Sequence, residues 1–342
     1  MTGWDRTANS RLLGGYLRRH AGYLALVVVI MTIPAYVSDR YYLSILATMA
    51  TRFMMVLGLS LLVGQAGQIS LGQAGFVGIG AYGAAILTTR VGLNPWAAMI
   101  LAAVLAAVIA VVVGIPTLRL RGYYLAMATL GVNEIISILL GQLKGLTNGT
   151  DGISGIPSLS IGGVDLGTPW IYHLVVWGVA LLVFRVTLNI SRSRAGRSLR
   201  GLRQSEAAAE ALGINTSYRK VQVFVLAAVF ASIAGSFDAY NVPHHIWPTD
   251  YGIDVSIILI AGVIIGGLRS VWGALWGTVV IVILPELLGR LGLEDYEHLV
   301  FGVLLIAIMV LWQGRTRGLW QSLRAWRSRR ATGSASSAGI EE

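Results

Sequence analysis

The chain has 342 residues, 55% of them hydrophobic and only 12% charged, with a mean hydropathy of +0.70. Soluble proteins carry about 25% charged residues, so a soluble domain is excluded. The net charge of +10 reports membrane topology rather than nucleic-acid binding, and the absence of cysteine removes disulfides, thiolate nucleophiles and cysteine metal sites.

Residues 1–20 are polar and carry Arg6, Arg11, Arg18 and Arg19. They read as a cytoplasmic arm, not as a cleavable signal peptide. Long uncharged runs follow, and none shows the period-2 alternation of a β-barrel. The chain is therefore expected to be an all-α polytopic membrane protein of about ten transmembrane helices. The spans fall near 21–37, 41–63, 73–89, 96–116, 122–143, 170–190, 219–241, 254–268, 272–289 and 298–313. The expected domains are the arm 1–20, a transmembrane domain 21–313 and a basic, partly disordered cytoplasmic tail 314–342. Segments assigned to the inside hold twenty Lys/Arg, against four outside: Arg40, Arg90, Lys144 and Arg290. That asymmetry places both termini in the cytoplasm.

The second and third spans meet at GLSLLVGQAGQISLGQAGFVGIGAYG. Gln65, Gln68, Ser70 and Gln73 lie among its glycines. Two readings stay open: a broken helix beside a substrate path, or a hairpin with small-residue packing. Gly78, Gly80 and Gly83 spell GxGxxG, but no strand precedes them and no acid follows at the required distance, so a dinucleotide site is rejected.

The fifth span, RLRGYYLAMATLGVNEIISILL, carries Asn133 and Glu134 near mid-membrane. An intramembrane carboxylate is a functional candidate. Arg52 lies at similar depth, so an ion pair, a hydrogen-bonded structural Glu and a transport role all remain open. The segment 144–169 reads as a well-turned outside loop. His244 and His245 are adjacent without a further ligand pattern and are assigned to a loop, not to a metal. In the Gly-rich late hairpin, Trp272 and Trp276 anchor or pack.

Residues 197–215, RSLRGLRQSEAAAEALGIN, form the longest polar, helix-prone stretch. A single rod from Arg197 to Leu212 would be roughly 24 Å long, with Gly213 as its stop signal. Glu206 and Glu210 make a like-charge pair four apart, which is easier to explain if a partner's cations meet them. A plain solvated loop fits the spacing equally. There is no P-loop, so any ATP dependence comes from another chain; HExxH and a strand-borne GxSxG are also missing.

These stretches together resemble the LivM-type permease subunits of bacterial ABC importers for branched-chain amino acids. The resemblance covers about residues 40–320. It is carried by GLSLLVGQAGQISLGQAGFVGIGAYGAAIL, RLRGYYLAMATLGVNEII with LTNGTDGISGIP, SRAGRSLRGLRQSEAAAEALGIN, IGGLRSVWGALWG with LPELL, and RTRGL. It implies a type II ABC importer-like permease that is not itself an enzyme and holds no cofactor. Its implied partners are two cytoplasmic ATPases that bind the ATP, a LivH-like second permease and an extracytoplasmic binding protein. It further implies an ATPase-coupling segment at 191–218, with Arg203, Glu206, Ala207, Ala208, Glu210 and Gly213 as coupling residues. Gln65, Gln68, Ser70, Gln73, Asn133 and Glu134 are the candidates for the substrate path. Four positions depart from the family pattern: Gln65 for a tyrosine, Gln73 for a histidine, Ile258 for a glutamate and Arg269 for a glycine. They bear on which solute is carried, with urea or short amides as the alternative cargo. An ion-driven carrier using Glu134 is the alternative class.

Overall fold

The structure, a computed structural model, describes residues 22–34, 36, 39–161, 164–241, 245–268, 270–292, and 299, 300, 302, 303, 306 and 307. The arm 1–20, His244, Arg269, the tail 314–342 and most of the expected tenth span lie outside the described residues. The chain divides into two units, Met1–Val282 and Ile283–Glu342. Within the second, Arg290 pairs with Glu286 one helical turn away.

The helices are α1 (Gly22–Pro34), α2 (Arg40–Leu59), α3 (Gln73–Thr89), α4 (Pro95–Thr117), α5 (Tyr123–Gln142), the short α6 (Lys144–Thr147), α7 (Pro169–Arg192), α8 (Arg194–Gln204), α9 (Glu206–Ala211), α10 (Thr216–Tyr240), α11 (Ile253–Gly266) and α12 (Gly273–Arg290). Among the described residues, seven are long and apolar enough to cross a membrane, not ten. α1 is described over Gly22–Pro34 only, and α3 has 17 residues, one short of that length. A two-residue hairpin, β1 (Ser160–Ile161) with β2 (Val164–Asp165), interrupts the all-helical pattern in the loop before α7.

Side-chain caps set several of the starts. Asp39 accepts from the N–H of Tyr41, Asn94 from Trp96 and Asn215 from Tyr218, each at 3.0 Å. Proline opens α4 and α7, where its missing N–H costs nothing.

α10 is the central post, packed by α2, α3 and α4. Lipid offers no hydrophobic drive for helix association, so close backbone contact must supply it. A Cβ added at Gly80 would lie 2.0 Å from the carbonyl oxygen of Ser232, and one at Gly235 2.0 Å from that of Val77. α3 and α10 thus touch backbone to backbone. Gly72, Gly75 and Gly78, spaced by three, turn the next face of α3 onto Thr129, Asn133 and Leu140 of α5. The GxGxxG glycines are therefore packing surfaces. α11 and α12 cross on the same principle through Gly262, Gly266, Gly273 and Gly277. On the other side, Trp177 of α7 donates to the carbonyl of Leu46 at 2.9 Å and its ring lies 6.1 Å from that of Phe53. Trp272 packs edge-on against Phe184, 5.0 Å away, whereas Trp276 is exposed.

Candidate functional site

The second span does not end as an α-helix. From Ser60 to Ala66 it widens into a fully buried π-helical stretch. Such bulges are rare and frequent at functional sites. Gly67 then takes φ +71°, open to glycine at little cost, and an irregular strand of chain runs to Gly72. Irregular backbone at membrane depth needs partners. Thr129 of α5 accepts from the N–H of Leu71 at 2.9 Å, Ser256 of α11 from Ala74 at 3.0 Å, and Asn133 from Gly75. The helix is broken, and small residues pack it.

Gln73 donates to the carbonyl of Ala227 at 3.0 Å, and Ser70 accepts from Gly72. The side-chain amide of Gln68 and the amide nitrogen of Asn133 are buried with no hydrogen-bond partner among the described residues. Glu134 points the opposite way from Asn133 and is exposed on the outer face of α5. Gln65, Gln68, Ser70, Gln73 and Asn133 thus gather around the broken helix, and Glu134 stands apart from them. It forms no ion pair with Arg52; Asp238, near the end of α10, lies within electrostatic reach of Arg52. An acid inside the apolar run VFVLAAVFASIAGSFDAY was the signal for it.

The polar stretch 197–215 is two helices, not one rod. Ser205 breaks it at φ −158° and ψ 114°, and its hydroxyl caps α9 through the N–H of Ala208. Serine competes with helical backbone and favours this role. Gly213 does stop the second helix, at φ +78°.

α8 lies against the π-helical stretch. Leu199 and Leu202 are buried, while the arginines reach upward. Arg200 sits 3.1 Å from Oε1 of Gln65 and 2.7 Å from the carbonyl of Ser191. Arg203 donates to the carbonyl of Gly64. A Cβ at Gly67 would meet the Arg203 side chain at 2.7 Å, so glycine is required there for space as well as for φ.

The carboxylates of α9 are met within the chain. Glu206 pairs with Lys220 at the start of α10 and with Arg121, 3.1 Å away in the α4–α5 turn. Glu210 accepts from the Thr216 hydroxyl at 2.6 Å. Ala207 and Ala208 face outward, and Leu212 is 81% exposed beside Gly213. Sequence reasoning missed Arg121, Lys220 and Leu212. Leucine directly before a glycine stop was the available signal for the last; the other two partners lie too far along the chain to be read as such.

Metal chemistry has no foothold among the described residues, since no group of three His, Cys, Asp or Glu could hold an ion. His245 stacks on Trp247 with ring centroids 4.0 Å apart.

Residues 41–309 match the family model described as "Branched-chain amino acid transport system / permease component". The chain is 31% identical over 330 residues to the high-affinity branched-chain amino acid transport system permease protein LivM of Salmonella typhimurium, covering 90% of this chain and 76% of that one. It is 30% identical over 329 residues to LivM of Escherichia coli, with the same coverage. It is 24% identical over 296 residues to the ribose import permease protein RbsC of Escherichia coli, covering 84% and 90%. No solved structure matches the chain. With a broken, glycine-packed second span, a polar helix pair tied to it, and a family match over most of its length, this chain belongs to the branched-chain amino acid transport system permease family.

Proposed function

We propose that this chain is a permease subunit of an ATP-driven importer of branched-chain amino acids in the bacterial inner membrane, with both termini cytoplasmic. The observation that carries the reading is the tie between α8 and the π-helical stretch: Arg203 on the carbonyl of Gly64 and Arg200 on Gln65. Displacement of α8 and α9 is transmitted directly into the second span. Ala207, Ala208, Leu212 and Gly213 offer the contact surface for an ATPase, and Glu206 and Glu210 hold that surface on α10. The chain binds no nucleotide itself; two ATPase subunits do. A second, LivH-like permease and an extracytoplasmic binding protein complete the assembly. Ten crossings follow if α1, α3 and the segment 298–313 are completed by neighbouring chain.

The two LivM relatives support a leucine-, isoleucine- or valine-like cargo over ribose, whose permease is less similar. Gln65, Gln68, Ser70, Gln73 and Asn133 form a weakly polar interior beside the path, which suits a system whose ligand affinity resides in the binding protein. Glu134 faces the surface shared with the second permease, because a carboxylate at that depth requires polar company.

The test is reconstitution in proteoliposomes with the ATPases and binding protein encoded beside this chain. Labelled leucine enters only with ATP and binding protein, and labelled urea does not. Leucine uptake driven by a proton gradient through this chain alone overturns the reading.

A further inference from the structure

Between α4 and α10, at the end of the bundle that carries α8 and α9, lies an open groove of about 880 Å³. Val111 and Ile115 line one wall, Val225 and Val229 the other, and Arg119 and Tyr218 stand at the mouth. From Tyr218 to Val229 the helix rises roughly 16 Å, which is one leaflet of a hydrocarbon core about 30 Å thick. Tyr218 is 58% exposed, and an exposed aromatic residue at the end of a span suits the headgroup level.

Arg119 is the one charged residue among those lining the groove, and Glu206 nearby is already taken by Arg121 and Lys220. Arg119 has no ion-pair partner among the described residues. Arg219 hydrogen-bonds only the neutral Gln222, at 2.9 Å, and Arg121 is two residues along the turn. A guanidinium offers a planar fork of donors that fits phosphate oxygens.

The walls also lack what a protein helix would need for close approach. Gly114 of α4 is already closed by the Phe224 ring, 3.1 Å from a Cβ placed there. On α5, by contrast, Gly131 and Gly141 meet nothing within 4 Å. Open glycines mark a face that another helix can approach; branched aliphatic walls under a basic rim fit an acyl chain and its headgroup.

We propose that this groove holds one acyl chain of an anionic phospholipid, with the phosphate seated on Arg119. Its placement in the cytoplasmic leaflet rests on the orientation given under the proposed function; the ligand class rests on the groove alone. The bound lipid braces the α4–α5 turn, two residues from the Arg121 that holds Glu206.

The experiment uses the purified full-length chain in nanodiscs of equal phosphatidylglycerol and phosphatidylcholine, released for native mass spectrometry. Wild type retains phosphatidylglycerol in preference to phosphatidylcholine. Arg119→Gln lowers that retention about fivefold, the effect of one basic residue near an anionic surface. Val225→Trp fills the groove and removes retention of both lipids, while Lys144→Gln at the other end of the bundle leaves it unchanged. Equal retention of the two lipids by wild type overturns the proposal. So does unaltered retention in both groove variants, or a disulfide from Ser217→Cys to a second permease chain across the groove in the assembled transporter. Leucine uptake with no selective lipid retention removes the lipid site and leaves the importer standing. Selective retention in a chain that never imports leucine does the reverse.

Discussion

Arg203 and Glu206 lie three residues apart and do opposite work. Arg203 reaches up into the span and donates a hydrogen bond to a backbone carbonyl that a π-helical turn leaves available. A hydrogen bond from a charged donor is worth about 1.5–3 kcal/mol. Arg203→Gln should therefore leave the fold intact, with a melting profile close to wild type, and lower ATP-driven uptake about tenfold or more in proteoliposomes. Unchanged uptake would show that α8 moves independently of the second span. Glu206 instead closes the corner between α9 and α10. Its side chain is 20% exposed and that of Lys220 only 7%. Breaking a buried pair costs about 3–5 kcal/mol, and partial exposure brings the expectation for Glu206→Gln to about 2 kcal/mol. Glu206→Lys sets three cations together with Arg121 and Lys220 and should cost more, read as a lower melting temperature of the purified chain. A Glu206→Lys protein as stable as wild type would mean that the corner is held by packing alone.

Glycines divide the helices into faces with different duties. Those of α3 and α10 are closed by backbone, so Gly80→Ala forces the two helices apart: its Cβ would sit 2.0 Å from a carbonyl oxygen. A rigid backbone clash of this kind costs several times the roughly 1 kcal/mol that separates glycine from alanine in helix propensity, and in the opposite direction. Gly80→Ala should abolish a monodisperse peak in fluorescence-detected size exclusion. Gly131→Ala meets open space in this chain and should leave that peak unchanged, while weakening co-purification of the second permease if α5 is the shared face. Equal behaviour of the two variants would refute the distinction between internal and external glycines. The same reasoning explains why the 197–215 segment folds as two short helices. Alanine, leucine and glutamate favour continuation, yet the Ser205 hydroxyl takes over an N–H of α9 as a cap. That gain comes with a bend that brings Glu206 round to Lys220.

For the molecule as a whole, sidedness is the claim with the sharpest test. The sequence contains no cysteine, so single-cysteine variants report without background. Ser198→Cys in α8 should be protected from an impermeant maleimide in intact cells and react in inverted membranes. Asn148→Cys, before the outer hairpin, should show the reverse pattern. Labelling of Ser198→Cys but not of Asn148→Cys in intact cells would invert the orientation and with it the placing of the ATPases. Much of this was legible beforehand. Charge-free runs of span length fix a helical membrane protein, because only internal hydrogen bonding satisfies backbone in lipid, and the skew of Lys and Arg fixes its expected orientation. Apolar runs located α4 and α7 to within a few residues, and Gly213 the end of α9, since a stop signal acts over one helical turn. The tertiary structure decided what depends on residues far apart in the chain. It alone assigned Lys220 and Arg121 to Glu206 and Arg200 to Gln65, and it turned Glu134 outward. Helical spacing says which residues share a face; only the packing of α2, α8 and α10 says what that face meets.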